Sequence, residues 1–150
     1  MTQTAAALPR QVVRGLRREA FRQIQSDPRR VAFPTVIRAG RLDAWPSQQR
    51  ALEVPRAVSA AWAYDVIESL LLTRCAAGLT DLWLTRPGEP SADHLDRRWQ
   101  RSLREVEAAY ALPAHRMFVI TRTGWVQILD DADPPPGQRW SRLRLVLPAA

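Results

Sequence analysis

The 150-residue chain has no lysine, one cysteine, two histidines and six glycines, each glycine standing alone. Each of these shortages excludes something. A single cysteine, Cys75, rules out an internal disulfide and any multi-cysteine zinc site. Glycines scattered at 15, 40, 78, 88, 124 and 137 leave no Gly-rich loop to cradle a phosphate. Two histidines, His94 and His115, lack the one-turn helical spacing of a paired zinc motif. No apolar run is long enough for a bilayer, because Glu68 and Ser69 interrupt the stretch around Val66 to Leu72. The opening "MTQTAAALPRQVVRGLRR" places no uninterrupted apolar region before its arginines, so it does not read as a secretory signal. The expectation is a cytoplasmic protein without a membrane partner.

What the chain does have is arginine. All 22 basic side chains are arginine against 15 acidic residues, a formal charge of +7. A GC-rich coding sequence explains arginine in place of lysine but not the excess of base over acid. A positive field of this kind favours polyanions, nucleic acid first among them. With 46% hydrophobic residues the chain can bury one core and is short for two, so residues 1–150 read as one domain.

Periodicity gives the elements. Pro9 to Gln25 reads as an amphipathic helix with Val13, Leu16, Ala20 and Ile24 inward and Arg10, Arg14, Arg17, Arg18 and Arg22 outward, within an Arg-rich N-terminal segment 1–30. "VAFPTVIRAG" is a strand ending at Gly40, and "ALEVP" a brief one. Ser59 to Ala77 is a largely apolar helix stopped by Gly78, followed by the buried strand "LTDLWLTR". After the Pro87-Gly88 turn, Ser91 is placed to cap a third helix that runs to about Ala111, with Leu95, Trp99, Leu103, Val106 and Tyr110 as its apolar stripe. Arg97, Arg98, Arg101 and Arg104 lie off that stripe. "HRMFVITRTGWVQIL" is a hairpin about Thr123-Gly124, "DDADPPPGQ" a loop, and "RWSRLRLVL" a period-two strand for a sheet edge. The fold class is therefore α/β: one three-layer domain, a mixed sheet with helices on both faces.

Trp62, Trp83 and Trp99 fall in core patterns. Trp45, Trp125 and Trp140 lie in a loop or on arginine-bearing strands, where aromatics and guanidinium groups could stack on bases. His115 reads as structural and Cys75 as a small buried hydrophobe. His94, flanked by Asp93 and Asp96, is a candidate general base set against a solvent-exposed histidine at a helix start.

Residues 62–129 carry a family pattern. A helix leads to a strand, then to Pro87-Gly88, Pro90-Ser91, a long helix, His115 and a hairpin with an aromatic second strand. That order and spacing resemble the JAB domain of bacterial RadC proteins, whose strand ends in His-x-His-Pro-Ser-Gly. The resemblance implies a JAB or cytidine-deaminase-like α/β fold and, in intact members, zinc held by two histidines and an aspartate with an activating glutamate. Here Leu84 and Arg86 stand at the histidine positions, and His94 stands three residues after Ser91 with Asp93 beside it. Leucine cannot ligate, and Arg86 would put a fixed positive charge where the dication sits. The implied protein has no cofactor and no catalytic residue, and Asp93 and His94 are the only weak metal candidates.

The leading expectation is a non-catalytic accessory factor in DNA repair or metabolism that binds nucleic acid, DNA before RNA. Its candidate anion contacts are Arg86, Arg14, Arg18, Arg22, Arg97, Arg101, Arg104, Arg142 and Arg144. Two alternatives remain open: a protein-interaction scaffold that could pair with a second copy, and a hydrolase with a site rebuilt from Asp93, His94, Asp96 or His115.

Overall fold

The apolar run at residues 81–85 folds as the middle of a sheet around which everything else is arranged. In chain order the elements are α1 (Arg10–Ser26), β1 (Thr35–Gly40), β2 (Arg50–Val54), α2 (Ala60–Leu71), β3 (Asp81–Thr85), α3 (His94–Ala109), β4 (Arg116–Thr121), β5 (Gly124–Ile128) and β6 (Arg139–Ser141). The computed structural model describes residues 8–26, 34–44, 49–72, 78–129 and 139–141, the last three by backbone. Trp45, Cys75, Arg142 and Arg144 and the side chain of Trp140 lie outside the described residues, as does the whole Pro-rich loop 130–138.

The sheet has six strands in the order β2-β1-β3-β4-β5-β6. Only β3 and β4 run parallel, and α3 is the crossover between them; the other pairings are antiparallel. All five residues of β3 are buried, as expected of a strand covered on both faces. Ile37, Leu82, Leu84, Met117, Val119, Val126 and Ile128 face a layer made by α2 and α3. Trp83, Phe118, Ile120 and Trp125 face α1 on the opposite side. The fold is therefore the mixed, three-layer α/β arrangement that the periodicity predicts.

Several residues sit differently from expectation, each for a physical reason. The inner face of α1 is Val12, Leu16 and Ala20, each fully buried, with Glu19 and Gln23 beside them; Val13 and Ile24 are only partly covered. Gly15 sets this rotation. A Cβ on Gly15 would lie 2.0 Å from the Leu42 carbonyl oxygen, so the helix approaches the backbone after β1 as only glycine permits. Trp125, expected on an open strand face, is 2% exposed because α1 covers it, and it meets Phe118 edge-on at 6.3 Å. Trp62, expected in the core, is 39% exposed at the rim and makes an edge contact with Trp99. Tyr110 likewise leaves the α3 stripe and donates its hydroxyl to Glu68 at 2.7 Å.

The third helix starts two residues later than Ser91 would place it. Asp93 is the cap: its carboxylate accepts from Leu95 N and Asp96 N, and the Asp96 carboxylate accepts from Asp93 N in return. At the other end, Ala111 takes a left-handed conformation, φ 50, and Leu112 N donates back to Glu107 O at 2.9 Å. An alanine there carries a Cβ penalty of roughly 1–2 kcal/mol. Ala111→Gly is therefore expected to raise unfolding stability by about 0.5–1 kcal/mol after glycine's own entropy cost, a change readable as a higher urea midpoint at constant slope.

Candidate functional site

The site is built where β3 ends and α3 begins. Arg86 N still donates to Ile120 O at 3.2 Å, so the ladder with β4 fixes the residue's place before its side chain turns toward α3. Its guanidinium is almost wholly buried and grips Asp96 with two prongs, Nε to Oδ1 at 2.9 Å and Nη2 to Oδ2 at 2.8 Å. The remaining edges reach Ser91 O at 2.7 Å and Pro87 O at 2.8 Å, which moulds the loop between strand and helix around the cation. Gly88, at φ 99, is required in that loop: a Cβ there would also crowd Arg86 Nη1 at 3.2 Å.

A second arginine completes the cluster. Arg56, from the segment between β2 and α2, donates Nη1 to Asp96 Oδ1 at 3.0 Å and Nη2 to Asp93. Two guanidinium groups thus face two carboxylates. Arg86 and Asp96 form the buried half, and Arg56 and Asp93 are more than a third exposed. Partial burial pushes the Asp93 carboxyl up, but the Asp96 backbone N–H and the Arg56 guanidinium outweigh it and hold the group below its ordinary range. Outside the cluster opens a cleft of about 500 Å³ lined by Pro34, Thr35, Glu53, Val54, Arg56 and Pro87.

This geometry revises the expected role of Arg86. An external phosphate would have to displace a buried carboxylate that already fills the guanidinium's two-pronged edge, so Arg86 is a structural counter-ion and not an anion contact. Leu84 is fully buried in the layer beneath α2 and α3. Asp93 is committed to capping and to Arg56, whereas His94 is exposed at the first residue of α3. Among the described residues, no group of three or more His, Cys, Asp or Glu side chains is placed to hold a metal ion.

No protein-family model, curated protein or solved structure matches the chain.

The remaining candidate arginines divide between opposite layers. Arg14 and Arg22 are exposed and Arg18 half-buried on α1; Arg101 is exposed and Arg97 and Arg104 half-buried on α3, across the sheet. The structure does not bring these two sets together. Neighbouring arginines on α3 are turned inward, with Arg98 donating to Val58 O and Arg104 Nη1 donating to Glu107 at 2.5 Å and to His115 O at 3.1 Å.

Arg104 belongs to a cluster with no obvious mark in the sequence. Glu107 also accepts from His115 N at 2.6 Å and lies 3.0 Å from His115 Nδ1, beside a cleft of about 380 Å³. His115, expected to be structural, is buried here and joins the end of α3 to the start of β4. Burial pushes the Glu107 carboxyl up, yet the hydrogen bonds from His115 and Arg104 prevail and lower it. Asp93 and Glu107 therefore hold protons less tightly folded than unfolded. Their contribution to stability is complete above the unfolded carboxylate range, about 4, and is lost as pH falls through the lower folded values. Urea midpoints should decline below pH 4 or so, and the decline should be shallower in an Asp93→Asn, Glu107→Gln double variant.

Proposed function

We propose that the chain is a non-catalytic, RadC-like JAB-fold protein that binds nucleic acid as an accessory factor, DNA in preference to RNA. The RadC resemblance supports DNA as the partner. The absence of catalysis is supported by what fills the two histidine positions of that pattern: a core leucine and an arginine neutralised by Asp96.

One observation carries the binding reading. On α1, Arg10, Arg14, Arg17 and Arg22 are exposed, while the helix's sole acid, Glu19, is 1% exposed. The outer face is thus cationic along its length. Helix stability does not account for it, because Arg10 sits in the first turn, where the macrodipole favours carboxylates, and that turn has none. Phosphates along a nucleic-acid backbone complement the exposed guanidinium groups of this face, Arg10 and Arg14 first among them.

The test is a titration of labelled DNA at several salt concentrations. The affinity should fall linearly on logarithmic axes as salt rises. Arg10→Gln with Arg14→Gln should flatten that slope by roughly 2 if both contact phosphates. An unchanged affinity and slope in the double variant would remove the basis for the proposal. No helix among the described residues is long and apolar enough to cross a membrane.

A further inference from the structure

Phe21 is a large apolar side chain left 41% exposed on the cationic face of α1. It belongs to neither core cluster. Positions 10, 14, 17 and 21 follow one another at helical spacings of four, three and four, so Arg10, Arg14, Arg17 and Phe21 form a single stripe. The stripe runs over about 16 Å of helix. Arg18, Arg22 and Gln25 flank the ring on one side and the half-buried Ile24 on the other, so its outward face is bordered mainly by polar side chains.

We infer that α1 binds a single-stranded stretch of nucleic acid, with phosphates along Arg10 and Arg14 and one base stacked on Phe21. This rests on the nucleic-acid reading above and adds the strand class. Charge complementarity favours a polyanion, and the aromatic ring in line with the cations favours one with accessible flat faces. A duplex keeps its base faces inside the stack, whereas an unpaired base can lie on a phenyl ring and is tolerant of sequence in doing so. Arg22 is drawn sideways toward Glu19 and Gln49 and stays outside the contact set.

An anionic lipid surface would also attract arginines, but α1 is ill-suited to it. An interfacial helix inserts its apolar face into the bilayer, and the apolar face of α1, made of Val12, Leu16 and Ala20, is fully buried on the sheet. Phe21, with the partly covered Val13 and Ile24, makes only a narrow strip that could insert. The arginines of α3 are a weaker rival, since Arg98 and Arg104 are directed to internal carbonyl and carboxylate oxygens.

The experiment measures anisotropy of a labelled single-stranded oligonucleotide and of a hairpin duplex with the same sequence, using the full chain. Phe21→Ala should weaken single-strand binding about tenfold, while duplex binding changes less than about twofold. Phe21→Trp should retain single-strand binding, and the thermal midpoint of both variants should match the parent. Equal losses on the two probes, or no loss on the single strand, overturn the inference while leaving general nucleic-acid binding intact. Loss of neither probe in the Arg10→Gln, Arg14→Gln variant removes that broader reading as well. Vesicles of anionic phospholipid are the third arm: tighter binding to them than to the oligonucleotide assigns the face to a membrane and overturns the proposal.

Discussion

Arg86→Met is expected to destabilise the fold by about 3–5 kcal/mol. The arginine is not merely one of several charges near Asp96. It supplies both prongs to a carboxylate with no solvent exposure, and its other edges hold the loop that carries the chain into α3. Methionine fills much of the volume but leaves Asp96 with Arg56 and the Asp93 N–H as its partners. The cost is therefore that of an undercompensated buried charge, not of a lost surface ion pair. A second substitution separates these: Asp96→Asn in the Arg86→Met background removes the charge that lost its partner. The double variant should regain about 1–2 kcal/mol of the loss in urea unfolding, a coupling that two independent sites would not show. Additive losses would show that the pair contributes only through packing.

Gly15→Ala should be about as damaging, for a steric reason. The added Cβ would stand 2.0 Å from the oxygen and 2.7 Å from the carbon of the Leu42 carbonyl. No rotamer relieves a clash between a β-carbon and backbone, so α1 must lift from the residues after β1. That movement uncovers Trp83, Phe118 and Trp125, all packed beneath the helix. A loss of about 3 kcal/mol or more is expected, at the upper end for added core volume and against alanine's better helix propensity. Near-ultraviolet circular dichroism should register altered tryptophan packing, and an unchanged urea midpoint would contradict the close approach of helix and turn.

The sequence was most legible where local pattern and burial coincide. β3 is apolar from Leu82 to Leu84 because it is covered on both faces, and the strand after the Pro-Gly turn feeds a helix whose cap lies within reach of local reading. Asp93, not Ser91, is the cap, and its signal is present in the sequence: Asp93 is followed three residues later by Asp96, the reciprocal pair that Ser91 and His94 cannot form. The misplaced tryptophans show a different limit. From β4 and β5 alone, Trp125 belongs to an open hairpin face, and it is buried only because α1, from the far end of the chain, lies over it. Arg56 had no local signal at all, since its partners Asp93 and Asp96 are 37 and 40 residues away. Arg86 stands out in the sequence, but its pairing with Asp96, ten residues on, does not: the pattern sets Asp96 beside His94, whereas the fold turns it onto Arg86.

The Arg56–Asp93–Asp96–Arg86 cluster also changes how the molecule can open. A helix's first turn is ordinarily among the first parts of a protein to fray, because its amides have few partners and little buried surface. In this chain the first turn of α3 is fastened to the end of the central strand and to the segment leading into α2. Fraying there would strand the buried Asp96 charge, so the Leu95 and Asp96 amides should exchange with solvent only when the central sheet itself comes apart.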